Sequence, residues 1–349
     1  MTGFPTENTV DALGLLLTRF CPAACDHCGS SSDPDQRDWM DQLLAKRLLR
    51  AAADSQISRV LFSGGEPLAR FNHALPIIEA AAQEGLEVSV CSNGNWARDL
   101  SQAKRRVGEL VEAGTTALLL STDRWHLEFI PLQAVLNASH AASEAGLEVQ
   151  ISVPSAVGDF QAIGLASTLA AQCGVEVVSH PVHPVGRGKE LSLKTVGITP
   201  PDLGGCHLAG HIEVDVNGSV SICPTSAEFG PESPLVLGNA DDVELTDLIN
   251  NYRRTPWFAI IRMWGPLGAH LLAGGHRDLS DRSPKTAWHP CHLCAEVNAV
   301  NETVELASNR LGSDLLAPTP PEQFALVLSM AAREIAQAFD AHEQLVEIK

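Results

Sequence analysis

Three cysteines stand within eight residues in the stretch LTRFCPAACDHCGSSS: Cys21, Cys25 and Cys28. Thiolates are soft anionic ligands, so such a group reads as a metal site, yet three is one short of the four that a closed tetrahedral zinc site takes. Thiolates spaced C-x3-C-x2-C can instead hold three irons of a four-iron cluster and leave the fourth open for chemistry. A zinc knuckle completed by His27 or by a distant residue competes with that reading. A second set comprises Cys206, Cys223 and the pair Cys291 and Cys294 in HPCHLC. Four thiolates suit a fully ligated cluster that carries electrons, or a four-cysteine zinc. The flanking His207, His211, His289 and His292 keep a mixed zinc site open.

The elements around these residues follow a regular alternation from about residue 13 to 185. Short apolar segments (LGLLLTRF, RVLFSGG, EVSVCSNG, TALLLSTD, EVQISVP, VEVVSHPV) alternate with helical patterns at 40–54, 74–84, 100–113, 132–145 and 159–172. Apolar strands separated by helices predict a parallel sheet covered on its outer face. The fold class is therefore α/β, a partial barrel of six strand–helix repeats, with chemistry at the C-terminal strand ends. The first cysteine set, SGGEP, CSNGN, STDRWH and HPVGRG all fall at such ends. Past residue 195 the sequence turns to Gly, Pro and polar stretches, giving three expected regions: a barrel over 1–195, a small cluster-binding β-hairpin and helix domain over 196–300, and a C-terminal helical extension over 301–349. The hairpin is VDVNGSVSIC, turning at Asn217-Gly218. Thr255 and Pro256 open an apolar helix over 255–275. Thr319 and Glu322 form a capping box for a last amphipathic helix bearing Phe324, Val327, Leu328, Ile335 and Phe339.

Composition limits the setting. The chain has 349 residues, 45% of them hydrophobic, enough for a packed core. Net charge is −18, from 24 basic and 42 acidic residues, with no basic run longer than KRR, so nucleic acid is not an expected partner. No secretory signal and no eighteen-residue apolar run is present, so no membrane partner is expected and the reading is cytoplasmic. Nine cysteines, several in C-x-x-C pairs, suit metal ligation in a reducing compartment.

The C-x3-C-x2-C spacing together with SGGEP one strand later resembles the radical S-adenosylmethionine superfamily. The resemblance implies a 4Fe–4S cluster on Cys21, Cys25 and Cys28, whose open iron chelates S-adenosylmethionine. It implies that Gly64, Gly65, Glu66 and Pro67 form the loop approaching the methionine amino group, and it offers Asn93, Ser121, Asp123 and Ser152 for the cofactor's ribose and carboxylate. The second set resembles the opening of SPASM and twitch extensions. No cysteine follows Cys294, which departs from a full SPASM domain and matches the twitch arrangement, one further 4Fe–4S cluster on Cys206, Cys223, Cys291 and Cys294.

By that resemblance the enzyme cleaves S-adenosylmethionine reductively and the 5′-deoxyadenosyl radical abstracts hydrogen from an unactivated C–H bond. The expected substrate is a peptide or a small natural-product precursor, with net oxidation or crosslinking and the second cluster as electron acceptor. A redox-neutral epimerase, dehydratase or decarboxylase is the alternative, and a non-enzymatic iron–sulfur or zinc protein a third. His126 is the candidate base, with His180 and His183 as substitutes. Cys91 is a candidate hydrogen donor or a buried core residue, Arg187 a candidate partner for a carboxylate, and Cys173 has no expected chemistry. Flavodoxin or ferredoxin is the expected electron donor. Twenty residues precede Cys21, so no N-terminal leader-binding domain is expected, and a peptide would come on a carrier or bind directly.

Overall fold

The computed structural model describes residues 4–156, 159–191, 204–224, 232–274, 290–298 and 301–347. The chain divides into two compact units, one of residues 11–197 and 213–219, the other of 1–10, 198–212 and 220–349.

In the first unit β1 (Ala12–Leu16), β2 (Arg59–Ser63), β3 (Glu87–Ser92), β4 (Thr115–Ser121), β5 (Glu148–Ser155) and β6 (Glu176–Pro181) alternate with five helices. These are α1 (Gln42–Asp54), α2 (Phe71–Gln83), α3 (Leu100–Glu112), α4 (Leu132–Glu144) and α5 (Phe160–Cys173). All five neighbouring pairs are parallel, in the order β6-β5-β4-β3-β2-β1, and β7 (His211–Val214), with Glu213 and Val214 in this unit, is hydrogen-bonded beside β1. This is the expected open, parallel α/β barrel, and the hydropathy pattern placed its five helices within a few residues. Asp41, Asp99 and Asp159 fix the starts of α1, α3 and α5 by accepting from first-turn backbone N–H groups.

The two faces of the sheet differ. Val60, Phe62, Val88, Val90, Leu118, Leu120 and Ile151 are fully buried. Their neighbours Leu61, Ser63, Ser89, Cys91, Leu119, Ser121, Gln150 and Ser152 are only half-buried and form the inner face. The small side chains of Ser63, Ser89, Ser121 and Ser152 among them leave room inside the barrel.

The hairpin turn differs from a two-residue Asn-Gly turn. Gly218 N–H donates to Asp215 O at 2.9 Å, and the Asp215 carboxylate accepts from Asn217 N and Ser219 N at 2.8 and 3.0 Å. That aspartate widens the turn to 215–218, with Gly218 at φ 80°.

The second unit holds β8 (Ser219–Ser221, its last two residues here), β9 (Val236–Asn239), α6 (Leu245–Arg254), α7 (Pro256–Leu272), α8 (Pro290–Val297), α9 (Glu302–Leu311) and α10 (Pro321–Glu347). α7 packs on α8, α9 and α10 around fully buried Trp257, Tyr252 and Phe324. Thr255 stands at the N-cap of α7, but its hydroxyl donates backwards to Asn251 O at 2.7 Å, closing α6 instead. The apolar run is also two helices rather than one. Gly265 leaves the helical region at φ 63°, and Pro266 has no N–H to continue the ladder. The last helix starts at Pro321, one residue later than a cap at Thr319 would set, with Glu322 in its first turn. Thr319 ties that start to the end of α6 instead, donating to Arg254 O from its N–H at 2.9 Å and from its hydroxyl at 3.3 Å. The side chain of Phe339 lies outside the described residues. Among the described residues no helix is long and apolar enough to cross a membrane.

After β2 the chain crosses beneath the cysteine loop. Gly65 N–H and Glu66 N–H donate to Thr18 O and Phe20 O at 2.7 and 2.8 Å. A Cβ at Gly64 would run into Thr18 O, and one at Gly65 into Phe20 O. Gly65→Ala should therefore destabilise the protein by about 1–3 kcal/mol in urea unfolding, through overpacking against backbone that cannot yield. It should also lower the iron retained after reconstitution.

Candidate functional site

Cys21, Cys25 and Cys28 face one cavity of about 210 Å³ in the first unit, shared with Gly64, Gly65, Cys91, Asn93, Ser121 and His126. The loop that carries them is packed down on Trp125, Ile130, Ala134 and Val182. Burial pushes the Cys21 thiol up to about 12 and raises Cys25 as well, so a metal bound here must displace protons from both. Asn93 Nδ2 donates to Cys21 Sγ at 3.5 Å. Three thiols around one cavity, with an amide N–H already aimed at sulfur, fit the three-iron attachment of an open cluster.

The strand ends hold this loop in specific ways. Glu66 does not face the cavity. It is buried, and its carboxylate accepts from Leu68 N, Ser92 Oγ and Asn93 N at 2.8–3.1 Å, tying the end of β2 to that of β3. Burial raises its ionisation to about 7 against the pull of those donors. Pro67 opens a short 3-10 turn and is buried. Arg187, expected to meet a carboxylate of substrate or cofactor, instead clamps the cysteine loop. Its Nε donates to Cys25 O at 3.0 Å, its Nη2 to Ser32 O at 2.7 Å and its backbone N–H to Cys28 O at 3.0 Å. A guanidinium, with five donors in a rigid fork, can serve several carbonyls at once.

Asp123 is likewise committed to protein groups. Its Oδ1 accepts from Trp125 N and His126 N at 2.8 and 3.0 Å, and its Oδ2 meets His126 Nδ1 at 2.6 Å and His27 Nε2 at 3.2 Å. Burial opposes ionisation there, but the donors and charge of His126 and His27 hold its carboxyl well below the usual range. A carboxylate only accepts, so both facing ring nitrogens carry hydrogen, and in its neutral form His126 has Nε2 as acceptor. His27 stacks on Trp125 at 4.7 Å and 26°. Ser152 Oγ bonds His180 Nε2 at 2.9 Å, and His180 stacks on His183 at 5.7 Å. Cys173, at the end of α5, stands by Ser139.

The second unit gathers its own thiols. Cys291 and Cys294 sit one turn apart on α8, and the charges of Cys223 and Cys206 both bear on them. Burial raises Cys291 to about 12 and lifts Cys294 well above the ordinary thiol value, with those neighbours adding to it. Asn298, fully buried, donates to Cys294 O and Sγ at 3.0 and 3.5 Å and accepts from Trp257 Nε1 at 3.0 Å. None of the nine cysteines is in a disulfide. His289 and the side chains of His207 and His292 lie outside the described residues.

One residue escaped the sequence reading. Glu213 on β7 is buried, and its carboxyl lies over Gly14, where any Cβ would collide with it. In HIEVDV it reads as the exposed half of an alternating strand, and only its place beside β1 encloses it.

Both sequence and fold have known relatives. Residues 15–155 match the radical SAM superfamily model. Over 171 residues the chain is 22% identical to YydG of Bacillus subtilis, named for peptide biosynthesis, covering 48% of this chain and 54% of that one. Over 116 residues it is 29% identical to GTP 3′,8-cyclase of Chlorobaculum tepidum, covering 33% and 34%. The chain thus spans about half of the first relative's length and about a third of the second's. Among solved structures, Streptococcus suis SuiB bound to S-adenosylmethionine superposes with a TM-score of 0.55 at 15% identity, covering 73% of this chain and 68% of that one. The anSMEcpe structure with bound AdoMet gives 0.51 at 13%, covering 93% and 99%. These structural likenesses establish the fold. The sequence match lies within the parallel α/β unit, and the likeness to the radical SAM superfamily rests on these residues together with the shared fold.

Glu213 sets a pH dependence. It ionises near 4.5 when unfolded, and desolvation by burial raises it to about 8 in the fold. Between these values the unfolded chain has released a proton that the folded chain keeps, so rising pH favours unfolding; below the window the stability is fully present, and above it no more is lost. Urea unfolding at pH 5 and pH 8 should show wild type losing about 2–4 kcal/mol relative to Glu213→Gln. A gap that does not change with pH would contradict the burial.

Proposed function

We propose that this enzyme abstracts hydrogen from an unactivated C–H bond of a peptide or small natural-product precursor, giving net oxidation or crosslinking. The observation that carries the reading is the one cavity shared by Cys21, Cys25, Cys28, the Gly64-Gly65 turn, Cys91 and His126. A 4Fe–4S cluster on the three thiols supplies, with S-adenosylmethionine, the 5′-deoxyadenosyl radical; the four thiols of the second unit fit a further cluster that accepts an electron. The peptide half of the substrate class draws on the likeness to YydG, the relative named for peptide biosynthesis.

The chain's own contribution begins with the loop clamps, which keep the thiols fixed and packed away from bulk water. His126, oriented through Nδ1 by Asp123, presents Nε2 to take the proton that leaves as a substrate radical is oxidised. Ser121 and Asn93 offer neutral hydrogen bonds on the cavity wall. A small redox protein such as flavodoxin or ferredoxin is the proposed source of electrons.

One observation favours the redox-neutral reading, a radical epimerase. Cys91 lines the same cavity, and burial, with Glu213 and Glu66 nearby, pushes its thiol up to about 12. It remains S–H at neutral pH, the form that donates a hydrogen atom.

Anaerobic reconstitution should give about eight irons per chain in the parent and about four in Cys21→Ala/Cys25→Ala/Cys28→Ala, with 5′-deoxyadenosine from the reduced parent alone. About four irons plus zinc in the parent would remove the electron acceptor and move the redox-neutral reading ahead. Turnover in D2O separates the two outcomes: oxidation leaves no solvent deuterium at the reacting carbon, whereas return of hydrogen from Cys91 places it there and Cys91→Ser abolishes it.

A further inference from the structure

The inner face of the parallel sheet carries one acid that the proposed reaction does not use. Glu213 is 6% exposed, and among the described residues no N–H, hydroxyl or cationic side chain pairs with its carboxyl. Desolvation is the sole influence on its ionisation. The carboxyl fills the space that any side chain at position 14 would take.

Its position follows from the register. Gly14 pairs with Leu61, and Leu61 with Ser89, which puts all three on one face; Cys91 is the next residue of β3 on that face. Cys91 feels the charge of Glu213 and lines the cavity of the three thiols. The remaining inner-face positions, among them Leu119, Gln150 and Ser152, hold no lysine or arginine.

Packing alone does not call for this arrangement. A glycine inside a strand weakens it, and a buried carboxyl without a donor costs stability. Both costs fall at one spot, and the result is a buried carboxyl on the face that bears Cys91, with nothing of the chain's own to satisfy it. An alkyl hydroxyl could give one hydrogen bond there, but an ammonium brings three donors and a positive charge that favours the carboxylate form.

The geometry points to a substrate-recognition site: Glu213, seated over Gly14 on the inner face that also carries Cys91, pairs with a primary ammonium group of the substrate. The substrate class narrows to amine-bearing molecules, a lysine-like or ornithine-like side chain in a peptide or a small amine. This rests on the cavity being the place of hydrogen abstraction.

The test is anaerobic calorimetric titration of the reconstituted full-length protein, with S-adenosylmethionine bound, using 1,4-diaminobutane and its neutral analogue 1,4-butanediol. Wild type should bind the diamine saturably and the diol at least about tenfold more weakly, and Glu213→Gln should weaken the diamine about thirtyfold or more. Unchanged S-adenosylmethionine affinity in Glu213→Gln shows that the variant is folded. Gly14→Ala, which keeps the acid but evicts its carboxyl, should lose the diamine too. No diamine binding to wild type, equal binding to Glu213→Gln, or a diol that binds as tightly as the diamine overturns the assignment. Failure of the radical reading shows elsewhere, as absence of 5′-deoxyadenosine from the reduced wild-type protein.

Discussion

The structure of the first unit depends on immobilising a loop that has almost no regular structure of its own. Residues 18–33 must present three thiols to one cavity, yet they belong to no helix or strand, and buried carbonyls need donors. The neighbouring strand ends supply them. Two consecutive N–H groups after β2 serve Thr18 and Phe20, and Arg187 after β6 serves Cys25, Cys28 and Ser32. The glycines of SGGE are explained in the same terms, since they let one backbone lie against another.

Glu66 extends that support sideways. A single buried carboxylate accepts from both the β2 and β3 ends, and Asn93, one of its donors through the backbone, turns its amide to Cys21. In the ionised form, hydrogen bonds to such a buried carboxylate contribute about 1.5–3 kcal/mol each. Residues joined this way are energetically coupled, so substitutions at Glu66, Ser92 and Asn93 combine non-additively.

The strand and helix pattern was legible because each strand is a short apolar run and each helix repeats its apolar face, features local to the chain. The thiol sets were legible from residue type alone. What escaped was direction. Glu66 and Asp123 were read as facing the cofactor through the family resemblance and Arg187 as a partner for a carboxylate, but they bond protein groups, among them Asn93 N, His27 and the Cys25 carbonyl. Glu213 was invisible for the opposite reason: nothing in its local sequence marks it, and only its place beside β1 encloses it. The hairpin turn was placed to within two residues and its type missed, because the Asp215 side chain competes for the N–H groups.

The clamp on the cysteine loop joins residues 162 and 155 positions apart. The loop therefore emerges from the ribosome long before the arginine that secures it, and its final shape must wait for β6 to dock. Contacts of such sequence separation form late in folding. Iron delivered to a nascent chain would meet three thiols that are present but not yet arranged, so cluster insertion belongs after synthesis of the whole barrel, and the order of maturation is written into which strand holds the loop.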